Sequence, residues 1–193
     1  ITILIIAFGI MALVAILSSI DAIKMSFSES FSRIGGQSFS ITELPQNNSE
    51  NKNDRIEKTP ISYVEAVNFK NHFDYPAIVS IYTNIADLFT LRSQYAETNP
   101  NIQLTAVDEN YLKSSGLTLE NGRDFLQQDI ESSKQYVILG KELANNLFPY
   151  EIDAIQKEIN IQGIRFTVIG VLEKKGSSLG SNIDRMCIIP ITT

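Results

Sequence analysis

Residues 1–20 contain no Asp, Glu, Lys, Arg or His, and 16 of the 20 are apolar. From Ile3 to Leu17 the run has no polar side chain at all. Twenty residues at a helical rise of about 1.5 Å span roughly 30 Å, the thickness of a bilayer's hydrocarbon core. A helix also satisfies its own backbone groups, which lipid demands. A buried core helix would show one polar face, and this segment shows none. A signal peptide would show a basic start and a small-x-small site before Asp21, and neither is visible. The segment therefore predicts a transmembrane helix over residues 1–20. The chain opens on Ile, so it reads as a fragment or processed form.

The pattern changes directly afterwards. Ile20, Ile23, Phe27, Phe31 and Ile34 are spaced 3, 4, 4 and 3, one narrow apolar stripe on a helix. Polar and charged residues fill the gaps. The spacing predicts an amphipathic stalk helix over 21–35, with the stripe seated on a partner helix or on the chain's own body. Gly35-Gly36 supplies its stop.

The remainder has an ordinary globular composition. Across all 193 residues the net charge is −6, with one Cys and one His. One Cys excludes an intrachain disulfide and a Cys-rich zinc site, and one His excludes the paired-His zinc motifs. The acidic balance argues against nucleic acid as a partner and gives no polybasic patch for anionic lipid.

Gln37–Thr42 alternates and reads as a strand. Residues 43–59 are polar and Asn-rich, and read as a mobile surface loop. Thr59-Pro60 predicts a helix start, with Tyr63, Ala66, Val67 and Phe69 as its buried face through about His72. There His72 suits the helix C-terminus. Further strands are expected at Ala77–Thr83, Leu88–Tyr95, Ile102–Val107, Gln135–Leu139 and Arg185–Ile189. Asp108 is read as the cap of a short helix ending at Gly116. A helix is expected over Lys141–Leu147, stopped at Phe148-Pro149. Glu158–Ile161 and Ile164–Leu172 predict a hairpin around Gln162-Gly163. The strand–helix alternation predicts an α+β protein with a mixed α/β part and a smaller β-rich part, roughly 117–175.

Catalytic constellations are missing. The lone His has no nucleophile with an orienting acid, and no G-x-S-x-G is present. Gly176–Ser181 is Gly-rich, but no Gly-Lys-Ser/Thr follows, so it is not a phosphate-binding P-loop. Lys174 and Lys175 read as a solvated loop. Asp124, Asp129 and Glu131 lack the spacing of a calcium loop. Cys187 lies in an apolar strand and reads as a core residue. The sequence therefore predicts no catalytic, cofactor-binding or metal residues, no cofactor, and no enzyme activity.

Five segments in order resemble one family. Gly122-Arg123-Asp124-Phe125 with Asp129 is similar to the "G-R-x-F-x-x-x-D" of the MacB-like periplasmic core domain of MacB/FtsX-type ABC transporter permeases. Val137–Gly140 with Ala144–Phe148 resembles its "V-x-L-G-x-x-x-A-x-x-L-F". Lys157–Gly163 and Phe166–Leu172 resemble its hairpin, including Gly163 and Gly170. Gly176-Ser177-Ser178 resembles its closing loop, and Asp184–Pro190 its "D-x-x-x-I-P" strand. Gln156 departs from the family's usual Gly, and residues 43–110 match only in layout.

The resemblance implies a porter-like subdomain with a β-rich one over 36–193, placed in the periplasm behind a first helix in the bacterial inner membrane. It implies an ABC transporter permease that couples cytoplasmic ATP hydrolysis through stalk helices to export or periplasmic handling of substrate. The implied partners are a second permease copy, a cytoplasmic ABC ATPase, the lipid bilayer and, in some members, a periplasmic adaptor with an outer-membrane channel. The stripe Ile20, Ile23, Phe27, Phe31 and Ile34 becomes the expected coupling seam. Two other readings compete. A membrane-anchored sensor needs a deep pocket. A pilin-like subunit resembles its class through an acid near the start of the apolar helix, which residues 1–20 lack.

Overall fold

The computed structural model describes residues 2–33, 39–42, 60–100, 102–150, 153–176 and 183–193. The chain divides into two compact units, Ile1–Ser40 and Ile41–Thr193.

The first unit holds α1 (Thr2–Arg33), one helix of 32 residues. It runs through both the apolar segment and the first part of the expected stalk. At about 1.5 Å per residue it is roughly 48 Å long. The expected transmembrane helix over 1–20 is corrected here. Among the described residues, no helix is long and apolar enough to cross a membrane. The expected anchoring in the bacterial inner membrane rested on that helix and is corrected with it. Gly35, Gly36 and the loop 43–59 lie outside the described residues. The strand expected at Gln37–Thr42 is absent over 39–42.

The second unit is built on a mixed sheet. Its strands are β1 (Tyr82–Phe89), β2 (Leu91–Arg92), β3 (Ile102–Val107), β4 (Leu119–Gly122), β5 (Tyr136–Leu139), β6 (Glu158–Ile161), β7 (Ile164–Leu172) and β8 (Met186–Pro190). The order across the sheet is β1-β3-β8-β5-β7-β6-β2, and β4 also pairs with β7. β3 and β8 are parallel, as are β5 and β7, and the remaining pairs are antiparallel. The α+β class, with a mixed core and a β-rich region, is as expected.

Successive side chains of a strand point to opposite faces, and here both faces are covered. Leu104, Ala106, Val137, Leu139, Cys187 and Ile189 meet Leu143, Ala144 and Leu147 of α5 (Lys141–Leu147) in one apolar layer. Val107, Ile138, Met186 and Ile188 meet a second layer. That layer takes Tyr111 and Leu112 from α3 (Tyr111–Ser114) and Ile130 from α4 (Gln127–Glu131), with Phe125 just before α4. Burial on both faces explains why these strands read as continuous apolar runs.

Several boundaries differ from expectation: the strand expected at Leu88–Tyr95 is divided, with Leu88 and Phe89 ending β1 and only Leu91–Arg92 forming β2. The helix predicted from Thr59-Pro60 is α2 (Tyr63–His72), which starts later because Ser62 and Glu65 form a capping box. The Ser62 hydroxyl accepts from the Glu65 amide at 3.3 Å, and the Glu65 carboxylate accepts from the Ser62 amide at 2.9 Å. The reciprocal pair outweighs a Pro at the first helical position. None of α2's residues is buried: Ala66 and Val67 are half-covered, while Tyr63 and Phe69 are exposed. The strand expected at Ala77–Thr83 begins only at Tyr82. Before it, backbone groups of Val79 and Ile81 are engaged by Asn110 and Asp108.

Candidate functional site

The motif positions gather at two places on the sheet. At the first, β4 and β7 approach so closely that a side chain does not fit. Gly122 pairs with Gly170, and a Cβ on Gly122 would stand 2.1 Å from the Ile169 carbonyl oxygen. Its φ of +87° is itself a glycine conformation. A Cβ on Gly170 would stand 2.9 Å from the Arg123 carbonyl. With the backbone so fixed, the Arg123 amide donates to the Ile169 carbonyl at 2.9 Å. The guanidinium then reaches Asp129, with Nη1 donating to Oδ2 at 2.6 Å. Its carbon also lies 5.4 Å from the Tyr136 ring centre.

Asp129 is buried and occupies the third position of α4, where it also accepts from the Leu126 amide at 3.0 Å. A carboxylate there meets the helix's free amides. The Arg123 hydrogen bond holds its carboxyl below the ordinary value, and the same bond raises Arg123. Asp124 accepts from the Phe125 amide at 2.7 Å, and burial pushes its carboxyl up. Phe125 fills the second core layer.

The second place is the start of α5. A Cβ on Gly140 would meet the carbonyl oxygens of Asp184 and Ile183, each at 2.5 Å. The 3-10 turn Ile183–Arg185 therefore rests on bare backbone. Asp184 is buried, and its carboxylate accepts from the Lys175 and Gly176 amides, each at 2.9 Å. It ties the two ends of the loop between β7 and β8. Gly176 has a φ of +72°. Gly163 lies in the β6–β7 turn, and Pro190 pairs with Val107. Gly122, Arg123, Phe125, Asp129 and Gly170 are brought together at the first place and Gly140, Gly176 and Asp184 at the second, while Gly163 and Pro190 stand apart.

A third cluster was not foreseen in the sequence. Asp108, 3% exposed, follows β3. It accepts from Lys70 Nζ at 2.7 Å, the Ser80 hydroxyl at 2.8 Å, the Ile81 amide at 2.9 Å and the Asn110 amide at 3.1 Å. Lys70 also reaches Glu109 at 2.7 Å. These two carboxylates raise Lys70 despite its partial burial, and Lys70 lowers Glu109. Asp108 makes an Asx turn rather than a helix cap, because α3 starts at Tyr111 without a side-chain cap. The one signal was an acid directly behind a strand of buried residues.

Of the coupling stripe, Ile20 and Ile23 are exposed on α1. Phe27 and Phe31 lie on the same helix, their side chains outside the described residues, as is Ile34. His72 bonds through Nδ1 to the Asn68 carbonyl at 2.8 Å, a helix-end role. Cys187 is fully buried, and burial pushes its thiol up, so it is no nucleophile. Among the described residues, no group of three His, Cys, Asp or Glu could hold a metal ion. A hollow between β4, β7 and α5, lined by Asn121, Lys141, Asn145 and Asp153 among others, has about 30 Å³. Small-molecule sites occupy about 300–1,000 Å³.

A sequence model of the MacB-like periplasmic core domain matches residues 1–193. Among curated proteins, a macrolide export ATP-binding/permease protein MacB of Hahella chejuensis is 33% identical over 105 residues. That match covers 54% of this chain and 16% of the relative. The protein of the same name from Shigella dysenteriae is 29% identical over 103 residues, 53% of this chain and 16% of its own length. The chain thus spans about one sixth of these relatives. The fold resembles the periplasmic region of MacB from Actinobacillus actinomycetemcomitans, with a TM-score of 0.53 and 21% identity over 67% of this chain and 55% of that one. It also resembles the extracellular domain of the noncanonic ABC-type transporter YknZ from Gram-positive bacteria. There the TM-score is 0.51, with 24% identity over 66% of this chain and 61% of the other.

Proposed function

The chain belongs to the MacB-like periplasmic core domain family, and from that membership we propose that it is the extracytoplasmic coupling domain of an ABC transporter permease. In this role it passes the work of ATP hydrolysis, done elsewhere, to substrate outside the cytoplasm. The observation that carries the reading is the family match across residues 1–193. The site geometry supports it. Gly122, Gly170 and Gly140 bring backbone against backbone, and Arg123, Asp129 and Asp184 tie neighbouring segments, a braced arrangement suited to passing on force. The curated relatives are named as macrolide exporters, so a macrolide-like or other amphipathic cargo is the first class to test.

The partners under this reading are a second permease copy, a cytoplasmic ABC ATPase, and a periplasmic adaptor with its outer-membrane channel. Coupling runs along α1 through Ile20, Ile23, Phe27 and Phe31, continuing toward Ile34. Two facts support that placement: the helix is continuous from Thr2 to Arg33, and Ile20 and Ile23 offer apolar surface. A ligand-sensing role is the weaker reading, since the hollow between β4, β7 and α5, at about 30 Å³, is too small for a ligand.

The test is the double substitution Phe27→Ser with Phe31→Ser in the complete transporter. We expect ATP hydrolysis to persist while export falls at least tenfold, with the far-UV circular dichroism of the domain unchanged. Export at the wild-type rate in that variant removes the seam from the mechanism.

A further inference from the structure

We infer that α2 is a latched arm, held against the rest of the second unit, among the described residues, by Lys70 alone of its charged groups and released when the ion pairs of Lys70 with Asp108 and Glu109 are broken. The inference stands apart from the transport reading and rests on how α2 is attached. No residue of this helix is buried, so it lacks the apolar anchor that docks most helices. Its half-covered face is Ala66, Val67 and Lys70, leading to Phe73. From that face Lys70 Nζ donates to Asp108 Oδ2 and to Glu109 Oε1, each at 2.7 Å. The Lys70 side chain is 19% exposed and that of Asp108 is 4%, so this pair is poorly screened by solvent.

The receiving end does not depend on the arm. With Lys70 gone, Asp108 keeps the Ser80 hydroxyl and the Ile81 and Asn110 amides. The segment leading into β1 is also pinned independently, since Asn110 Nδ2 donates to the Val79 carbonyl at 3.0 Å and the Asp108 amide to the Ile81 carbonyl at 3.0 Å. Motion is thereby confined to the chain between Phe73 and Ile78, which contains Pro76. The arm carries its own local order. The Ser62–Glu65 box caps its start, His72 bonds back to Asn68, and Phe69 packs on Phe73 with ring centres 5.2 Å apart.

Hydrogen exchange on the full chain tests this. Lys70→Met keeps the apolar stem and removes the charge. The amides of residues 66–72 should then exchange at least tenfold faster, with β3, β5 and β8 unchanged. Lys70→Arg should restore slow exchange. The inference is overturned if Lys70→Met leaves residues 66–72 as protected as before, or accelerates the sheet and the helix together. Should Lys70→Met not fold, Glu109→Gln keeps Asp108 paired. It must accelerate α2 alone by a few-fold, and no change there overturns the latch equally.

Discussion

Asp129 shows what a single side chain contributes to this fold. It answers Arg123 and closes the first turn of α4 at once. Its carboxyl titrates below the ordinary 3.8, chiefly because Arg123 donates to the charged form. The sign follows from linkage. A carboxyl depressed in the folded state adds stability that is fully present above its unfolded value and is lost as pH falls through the folded one. Arg123 is 43% exposed, so solvent screening limits the pair to about 1 kcal/mol. We expect Asp129→Asn to lower urea stability by about that amount at pH 7, and the difference to shrink as pH falls below about 4. An undiminished gap at pH 2 would show that the charge is not what matters. The sequence flagged Gly122, Arg123, Phe125 and Asp129 together, because a motif six to eight residues long keeps its members close. It was silent on the pairing of Lys70 with Asp108, which stand 38 positions apart and carry no shared period.

Elements were legible where local chemistry and burial agreed. β3, α5, β6 and β7 fall at the bounds read from the sequence. Each is ended by a turn signal; β3 and β7 send side chains into both core layers, while α5 and β6 bury theirs in one. The start of β1 was misread because its apolar preface, Ala77–Ile81, spends backbone groups on Asp108 and Asn110 instead of on a ladder. The start of α2 differs for another reason: the reciprocal Ser62–Glu65 box sets it, two residues past the Pro that marks a helix start in the sequence. The β6–β7 turn offers a test at this scale. Gln162 and Gly163 have φ of 50° and 94°, both in the left-handed region that the tight primed hairpin turn needs. Gln tolerates it poorly and Asn well. Gln162→Asn is expected to raise stability by about 0.5 kcal/mol in chemical denaturation. A loss of stability instead would mean that the Gln side chain holds something the turn needs.

Across the second unit, one sheet separates two apolar layers, and β5 serves both. Ile138 faces one layer and Leu139 the other, each fully buried. Ile138→Ala and Leu139→Ala should each cost about 2–5 kcal/mol. Both should displace the same single transition, whether followed by circular dichroism or by tyrosine fluorescence. Two resolved transitions would mean that the layers unfold separately. The place of β8 carries a temporal consequence. It is the latest described strand in the chain, yet it stands between β3 and β5. Without β8, no ladder among the described strands joins β1 and β3 to the ribbon of β5, β7, β6, β4 and β2. At about 5–20 residues per second, the ribosome leaves these halves waiting for residues 186–190. The domain is thus assembled like an arch, standing only once its keystone arrives, and a nascent chain stalled short of Met186 is the form most exposed to aggregation and proteolysis.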